Sequence, residues 1–510
     1  MVRAAFLLLL VLAGCAGGDQ LRIKEARDAY AARDFVRAEA SLYTPEVLKK
    51  GESRLQHFLM LASIAFSSGQ YEKAVMFLNK SREISNEVRS DHALFSWYDQ
   101  AYGGNPVEYS YLHQYLVLAY TLLADEGKTE AWETPEIKNE KGEILISSEK
   151  HPARRFSSRE VSELRIKARA ELLAWDTHLE TLKRTYGHRD YYQEDPWARL
   201  LAAYVHSLSN QPNEKRTAQI LLARAQKEGS RDVQALGNNL QIRAQTTTPD
   251  PAGTLVVAQA GVIAPFRKQT TTIGLSTLFQ GIDDPDLRAQ MENLGFRVLL
   301  HYAPEFGLVA LTGAVFGAAS SDTEDAPTQF TDAADRGLGF QISFPSLPSP
   351  PKDAKLTLQL TSLEGQVSDI PLSVVAPIQE ILRNELQARK KREFAGKALK
   401  IGLQYLAILI PAVKAYQSAD GEGAGLKKLA ILAGFFIAKK AIDAANAPDL
   451  RSWSTLPQLI GSCYLPDLKG EFDLKVRMET TQGISERSLG KRLLPPGPSG
   501  LLYLDLGKLP

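Results

Sequence analysis

The sequence predicts an all-α helical-repeat domain followed by an α+β domain that carries a helical hairpin. Three observations predict it. From Gln20 to about Thr246 the chain is rich in Ala, Leu, Arg and Glu, with apolar residues three and four apart, the period of an amphipathic helix. Beyond that point the period shortens to β-branched or alternating runs bounded by Gly, Pro and Asp. Between the two lies TTTPDPAG, residues 246–253, whose two prolines and glycine read as a linker. A chain of 510 residues is too long for one core. The expected units are therefore 20–246 and 254–510, joined by 247–253.

In the first unit the clearest element runs from Leu55 to Ile84. Phe58, Leu61, Ala62 and Ala65 mark one helix face, Gly69 breaks it, and Tyr71, Ala74 and Leu78 mark the next. The pair resembles a tetratricopeptide repeat: small Ala62 and Ala74 let the helices approach, Gly69 permits the turn, and Tyr71 wedges into the pair. Arg33, Phe35 and Ala38 stand in the same relative positions as Gly69, Tyr71 and Ala74, and suggest an earlier copy. Ala119 and Ala131 repeat the spacing of Ala62 and Ala74, and Ala202 to Arg224 suggests one copy more. An irregular bundle of similar helix pairs is the alternative. The pattern fails between Trp132 and Arg155, where Glu136 to Ile146 reads as a small inserted hairpin turning at Lys141 and Gly142.

Helical stacks of this kind expose a concave face that binds an extended segment or a protein surface. The candidate surface is aromatic. Tyr98, Tyr102, Tyr109, Tyr111, Tyr115 and Tyr120 cluster near Trp97, and Tyr186, Tyr191, Tyr192 and Trp197 form a second group with His188. Such rings are enriched at binding hot spots, being apolar at one end and able to hydrogen-bond at the other. Tyr109, Tyr111, Tyr191 and Tyr192 are the partner-binding candidates; wedging helix pairs together is the competing role.

In the second unit, Thr254 to Ile263, Phe296 to Tyr302, Gly337 to Phe344, Leu356 to Leu363, Gln366 to Val375, Glu471 to Thr480 and Leu501 to Leu506 read as strands, and Ser320 to Arg336 as a polar loop. A hairpin of helices is expected over 378–446. It carries Arg389 to Arg392, an apolar run from Ile401 to Val413, a turn at Gly421 to Gly425 and a second apolar run from Leu429 to Ala438. Neither run reaches the roughly 18 residues of a membrane span. Domain core, a bilayer-surface element and a docking site are all open, and core is the expectation because continuous apolar hairpins are most often buried.

The start of the chain carries a different signal. Arg3 supplies a positive end, Phe6 to Leu12 an apolar stretch, and Leu12, Ala13, Gly14 and Cys15 resemble the lipobox of bacterial lipoproteins. The resemblance implies a signal peptide over 1–14, lipid (palmitate among the acyl chains) on Cys15 and a lipidated tether over 15–19. An ordinary secretory signal cut near Ala16 is the alternative. Ala16 replaces the aspartate that retains many lipoproteins in the inner membrane, so the resemblance implies the outer membrane, facing the periplasm. With Cys15 acylated, Cys463 has no intramolecular partner and no disulfide framework can form.

At Asp449 the phrase DLRSWSTLPQ begins. With the lipobox, the repeat-like front and LVVAQAGVIAP from Leu255, the chain resembles an uncharacterised family of bacterial lipoproteins. In that family a tetratricopeptide-like domain precedes a C-terminal domain with a related Asp, Arg, Ser, Trp, Leu, Pro phrase. The resemblance brings no catalytic residues. Arg451 and Trp453 are expected to fix a helix-to-strand junction, the ring in the core and the guanidinium on carboxylates or carbonyls.

Net charge is +1, with 60 basic against 59 acidic residues, so nucleic acid is not an expected partner. No metalloprotease helix, phosphate loop, dinucleotide fingerprint or nucleophile elbow occurs. His188, Arg189 and Asp190 spell the kinase catalytic triplet without the motifs that accompany it. Glu108 and His113 are five apart on one predicted helix and share a face badly, so His113 reads as structural. Eight histidines are scattered over the chain, and neither metal nor cofactor is expected. The expectation is a non-enzymatic outer-membrane lipoprotein scaffold or assembly factor that binds envelope proteins through its helices and the membrane through Cys15. Activation of peptidoglycan synthases and cell-wall glycan cleavage by an acidic residue are the alternatives.

Overall fold

The computed structural model describes residues 20–507 apart from 50–52, 92–101, 103, 140, 187–195, 246–252, 274–339, 351–353, 420, 422, 467 and 482. Cys15 and the leader, Trp97, Tyr98, His188, Tyr191, Tyr192, most of the expected linker, the expected strand at 296–302 and the loop at 320–336 lie outside the described residues.

The fold is mixed, with a helical front and a curled mixed sheet. Helix α1 (20–31) ends at Arg33, which takes a left-handed conformation with φ +62° and leads into α2 (Phe35–Leu42). After α3 (Pro45–Lys49) comes α4 (Arg54–Ser67), in which every residue from Leu55 to Phe66 is buried. Gly69, at φ +82°, turns the chain into α5 (Tyr71–Asp91), and Ala62 and Ala74 are both completely buried where these helices pack. Glycine reaches this backbone region without the steric cost a Cβ would add.

Helix α6 (Pro106–Glu126) begins with a capping box: the Asn105 side chain accepts from the Glu108 N–H, and the Glu108 carboxylate accepts from the Asn105 N–H. Gly127 ends it in a left-handed conformation. An arm of nested two-stranded pairs follows. β1 (Lys128–Thr129) pairs with β6 (Arg154–Arg155), β2 (Trp132–Thr134) with β5 (Glu149–His151), and β3 (Ile137–Lys138) with β4 (Ile144–Ile146). Its tip turns at Gly142, φ +84°, where Asn139 accepts from the Lys141 and Glu143 N–H groups. Helices α7 (Ser158–Tyr186), α8 (Pro196–Ser207), α9 (Pro212–Glu228) and α10 (Arg231–Gln245) complete the helical part.

Seven strands form one sheet in the order β14, β13, β10, β11, β12, β7, β15: Gly483–Leu494, Gly470–Thr480, Lys355–Ser362, Val367–Ala376, Leu459–Pro466, Gly253–Ala260 and Leu501–Asp505. All neighbours are antiparallel except β15, which runs parallel to β7. Leu474, Val476 and Met478 of β13 share one apolar core with Leu502 and Leu504 of β15, although their strands stand near opposite ends of the order. The sheet therefore curls on itself. The Arg487 guanidinium of β14 donates to the Leu506 carbonyl just after β15 (2.8 Å), joining the two edges. Gly461 of β12 sits under β10 and β11: a Cβ there would lie 2.6 Å from Leu356 Cδ1 and 3.3 Å from Leu372 Cβ. Gly461→Ala is expected to cost about 1–3 kcal/mol by overpacking, read as a lower urea midpoint, although alanine is intrinsically no worse in a strand.

The compact units differ from those expected. One comprises 1–265, 347–385 and 451–510, so the helices and the seven-stranded sheet belong together; the other comprises 266–346 and 386–450. The reason is burial. Val256, Ala258 and Ala260 face the sheet core, while Gln259 of the same strand accepts from the Tyr115 hydroxyl of α6 at 2.9 Å, so β7 is covered on both faces.

The second unit holds β8 (Arg267–Ile273), paired with β9 (Phe340–Ser346), and the hairpin of α11 (Ile378–Gln417, from residue 386 on) and α12 (Ala424–Ala445). Ile342 and Phe344 pack on Ile401, Tyr405 and Phe435. The expectation that both apolar runs are core is corrected by exposure: Leu429 is 60% exposed and Ile437 70%, while Phe435 turns inward. The ribbon of β8 and β9 covers one face of the hairpin and leaves the other open.

Candidate functional site

The sequence-derived residues fall into three places. The first is the turn between α4 and α5. Gly69 and half-buried Tyr71 stand there, the Tyr71 ring meeting Phe66 edge-on at 5.3 Å, with Ala74 one turn further on in the core. This turn and the root of the arm enclose a cleft of about 190 Å³, lined by Ser68, Gly69, Tyr71, Leu123, Lys128, Glu130 and Trp132 among others. Trp132 stacks on His151 at 3.8 Å and donates from its indole nitrogen to Glu72 (3.1 Å), which also accepts from Arg154 (3.0 Å). The ring is thus held from two sides, while Lys128 and Glu130 of the lining are exposed. Trp132 and Glu72 were not singled out by sequence; the run KTEAWE, charged around one tryptophan, was the available signal.

The second place is the 451–455 phrase, which inserts between α4 and α6. Trp453 is completely buried; its indole donates to Ser63 Oγ (2.7 Å) and its ring lies 5.2 Å from that of Tyr115. Gln56 of α4 donates to the Ser452 carbonyl (2.7 Å), and the Arg451 guanidinium lies over the Tyr102 ring at 5.7 Å. The Trp453 N–H donates to Glu108 (2.6 Å), whose carboxylate also accepts from Asn105 N–H (3.0 Å) and the Tyr102 hydroxyl. Burial pushes the Glu108 carboxyl up to about 7, against the pull of these three donors and with Glu385 adding to it. The sequence does not mark Glu108 as an anchor. The phrase Asn-Pro-Val-Glu carried its capping role, and nothing local carried its bond to residue 453.

The third place is the aromatic group of α6 and α7, which is internal. Tyr111 is 1% exposed and Tyr102, Tyr115 and Tyr120 are buried, so the expectation that Tyr111 presents a binding surface is overturned: α6 is surrounded along its length. Tyr109 is half-buried, its ring between His113 (5.0 Å) and His178 (4.8 Å). His113 Nδ1 lies 2.5 Å from Glu171, which Arg82 grips with two bonds of 3.1 and 2.9 Å. Burial works to raise the Glu171 carboxyl, and His113 with Arg82 outweighs it, leaving the group below the ordinary carboxylate range. These side chains are engaged with one another across α5, α6 and α7, an arrangement that fastens helices together. Among the described residues no group of three or more His, Cys, Asp or Glu is placed to hold a metal ion.

No family model, curated protein or solved structure matches the chain. Among the described residues no helix is long and apolar enough to cross a membrane.

Proposed function

We propose that the chain is an outer-membrane lipoprotein, anchored through Cys15, that serves as a non-enzymatic scaffold for another envelope protein, gripped at the cleft between the Gly69 turn and the arm. The observation that carries this reading is the cleft itself. At about 190 Å³ it is smaller than the roughly 300–1,000 Å³ of small-molecule sites, and it suits one or two side chains of a protein segment. Its lining joins two aromatic rings, Tyr71 and Trp132, with exposed charges of both signs at Lys128 and Glu130, a composition that suits a hot spot with polar surroundings. The helical front supports a tetratricopeptide-like reading: Arg33 and Gly69 take the same left-handed conformation at corresponding places, with Ala38 and Ala74 both buried beyond them. The anchoring rests on the sequence Leu-Ala-Gly-Cys at 12–15.

Two measurements test it. Labelled palmitate is expected to enter the protein and to be lost in Cys15→Ser; full labelling of that variant removes the anchor. A photo-crosslinking residue at Glu130 is expected to capture an envelope protein in cells. Trp132→Ala is expected to weaken that capture by roughly 2 kcal/mol, about thirtyfold, with the helical circular-dichroism signal intact. Absence of an adduct from Glu130, or capture indifferent to Trp132→Ala, moves partner binding away from the cleft.

A further inference from the structure

We infer that the hairpin of α11 and α12 lies on the surface of an anionic lipid bilayer, along it and not across it. The inference goes beyond the scaffold reading and does not depend on lipid at Cys15. It starts from exposure. Leu426 is 77% exposed, Leu429 60%, Ile437 70% and Phe436 40%, all on α12, and Leu403 of α11 is 54% exposed. On α12, residues 426, 429, 430, 433 and 437 recur three and four apart and are all exposed, so they form one stripe; Phe435, buried, and Ile442, packed on the same core, mark the opposite face. From Leu426 to Ile437 the stripe is roughly 17 Å long at 1.5 Å per residue. On α11, Leu403, Ala407 and Pro411 are exposed at steps of four. A soluble surface rarely leaves so many large apolar residues together on one element.

Charge decides the occupant. Residues 386–450 carry eleven Lys and Arg against five Asp and Glu, although the whole chain is nearly neutral. Exposed Arg389, Lys391, Lys427 and Lys440 stand at the ends and flanks of the apolar stripes. Long basic side chains can lay their stems along the hydrocarbon boundary and hold their charges among anionic headgroups while the leucines enter between acyl chains. Neither described helix is long and apolar enough to span. An apolar stripe with basic flanks is the pattern of an interfacial element.

The test uses protein beginning at Gly17, which retains every described element and cannot be acylated on Cys15. Co-sedimentation with phosphatidylcholine vesicles containing about one third phosphatidylglycerol is expected to exceed that with pure phosphatidylcholine at least tenfold. Raising salt to about 1 M, where the Debye length is roughly 3 Å, is expected to lower it several-fold. Leu429→Asp with Ile437→Asp, both at exposed positions, is expected to keep the helical signal and melting temperature and to lose vesicle binding at least tenfold; Lys427→Glu with Lys440→Glu is expected to lose it without touching an apolar residue. Equal binding to both vesicle types, or no binding, overturns the inference. So does a dimer in solution that these substitutions dissociate while vesicles capture nothing, since a second copy would then be the occupant.

Discussion

Glu108→Gln is expected to remove a dependence of stability on pH that the native sequence shows between about 4.5 and 7. In the folded protein the Glu108 carboxyl holds its proton up to about 7, whereas its ordinary value is 4.5. A raised folded value gives a contribution that is complete below about 4.5 and is lost as pH rises through 7, on the order of 3 kcal/mol across the window. The amide cannot ionise, so its midpoint in urea should change less between pH 5 and pH 8. At pH 5 the substitution should itself cost about 1–3 kcal/mol, because the Tyr102 hydroxyl, the Asn105 N–H and the Trp453 N–H all point at carboxylate oxygens and one of them would meet an amide nitrogen. Urea titrations of the two proteins that stay parallel from pH 5 to pH 8 would show that Glu108 titrates alike in folded and unfolded chains.

Residues 20–246 produced alone are expected not to fold cooperatively, which is the larger effect. The helical part is completed by groups from far along the chain: the Trp453 indole bonded to Ser63, the Gln259 amide that receives the Tyr115 hydroxyl, and the Tyr503 ring 4.7 Å from Phe66. Removing them exposes the apolar sides of α4 and α6. Trp453→Ala in the full chain models part of this loss and should cost about 3–5 kcal/mol. Scanning calorimetry checks both: a broad, weak transition for 20–246, and for Trp453→Ala a lower melting temperature with helix and sheet signals lost together. A sharp transition from the isolated segment would restore the boundary expected at 247–253.

What could be read in the sequence was local. The turn at Gly69, the arm tip at Gly142 and β7 all act through neighbours within a few positions, where periodicity and turn chemistry suffice. What could not be read depends on distance along the chain. The density of tyrosines on α6 is the same whether the helix is surrounded or exposed, and only its encirclement shows Tyr111 to be core. Strand β14, GISERSLGKRLL, is polar because it is an edge strand with most residues exposed, so the alternation that marks a half-buried strand is weak. β12 escaped because Gly461 and Ser462 interrupt its apolar run, and that glycine is there for Leu356, a residue of another strand. The cleft was half legible: Gly69 and Tyr71 were named for the turn they make, while Trp132 joins them only through the fold of the arm.

The placement of β7 governs when the molecule can be finished. Its two neighbours are β12 (Leu459–Pro466) and β15 (Leu501–Asp505), both made far along the chain from β7 itself. The Tyr204 hydroxyl reaches the Ser499 carbonyl across 295 positions, and the Trp453 N–H reaches Glu108 across 345. Closing such long loops adds little to the free energy of the finished state, because the entropic cost grows only with the logarithm of loop length. It does delay the event, since distant pairings must wait for one another. Helices α4 and α6, buried along most of their length in the finished fold, are therefore synthesised long before the strands that cover them. Until β12 and β15 pair with β7, the surfaces they cover stay open to water.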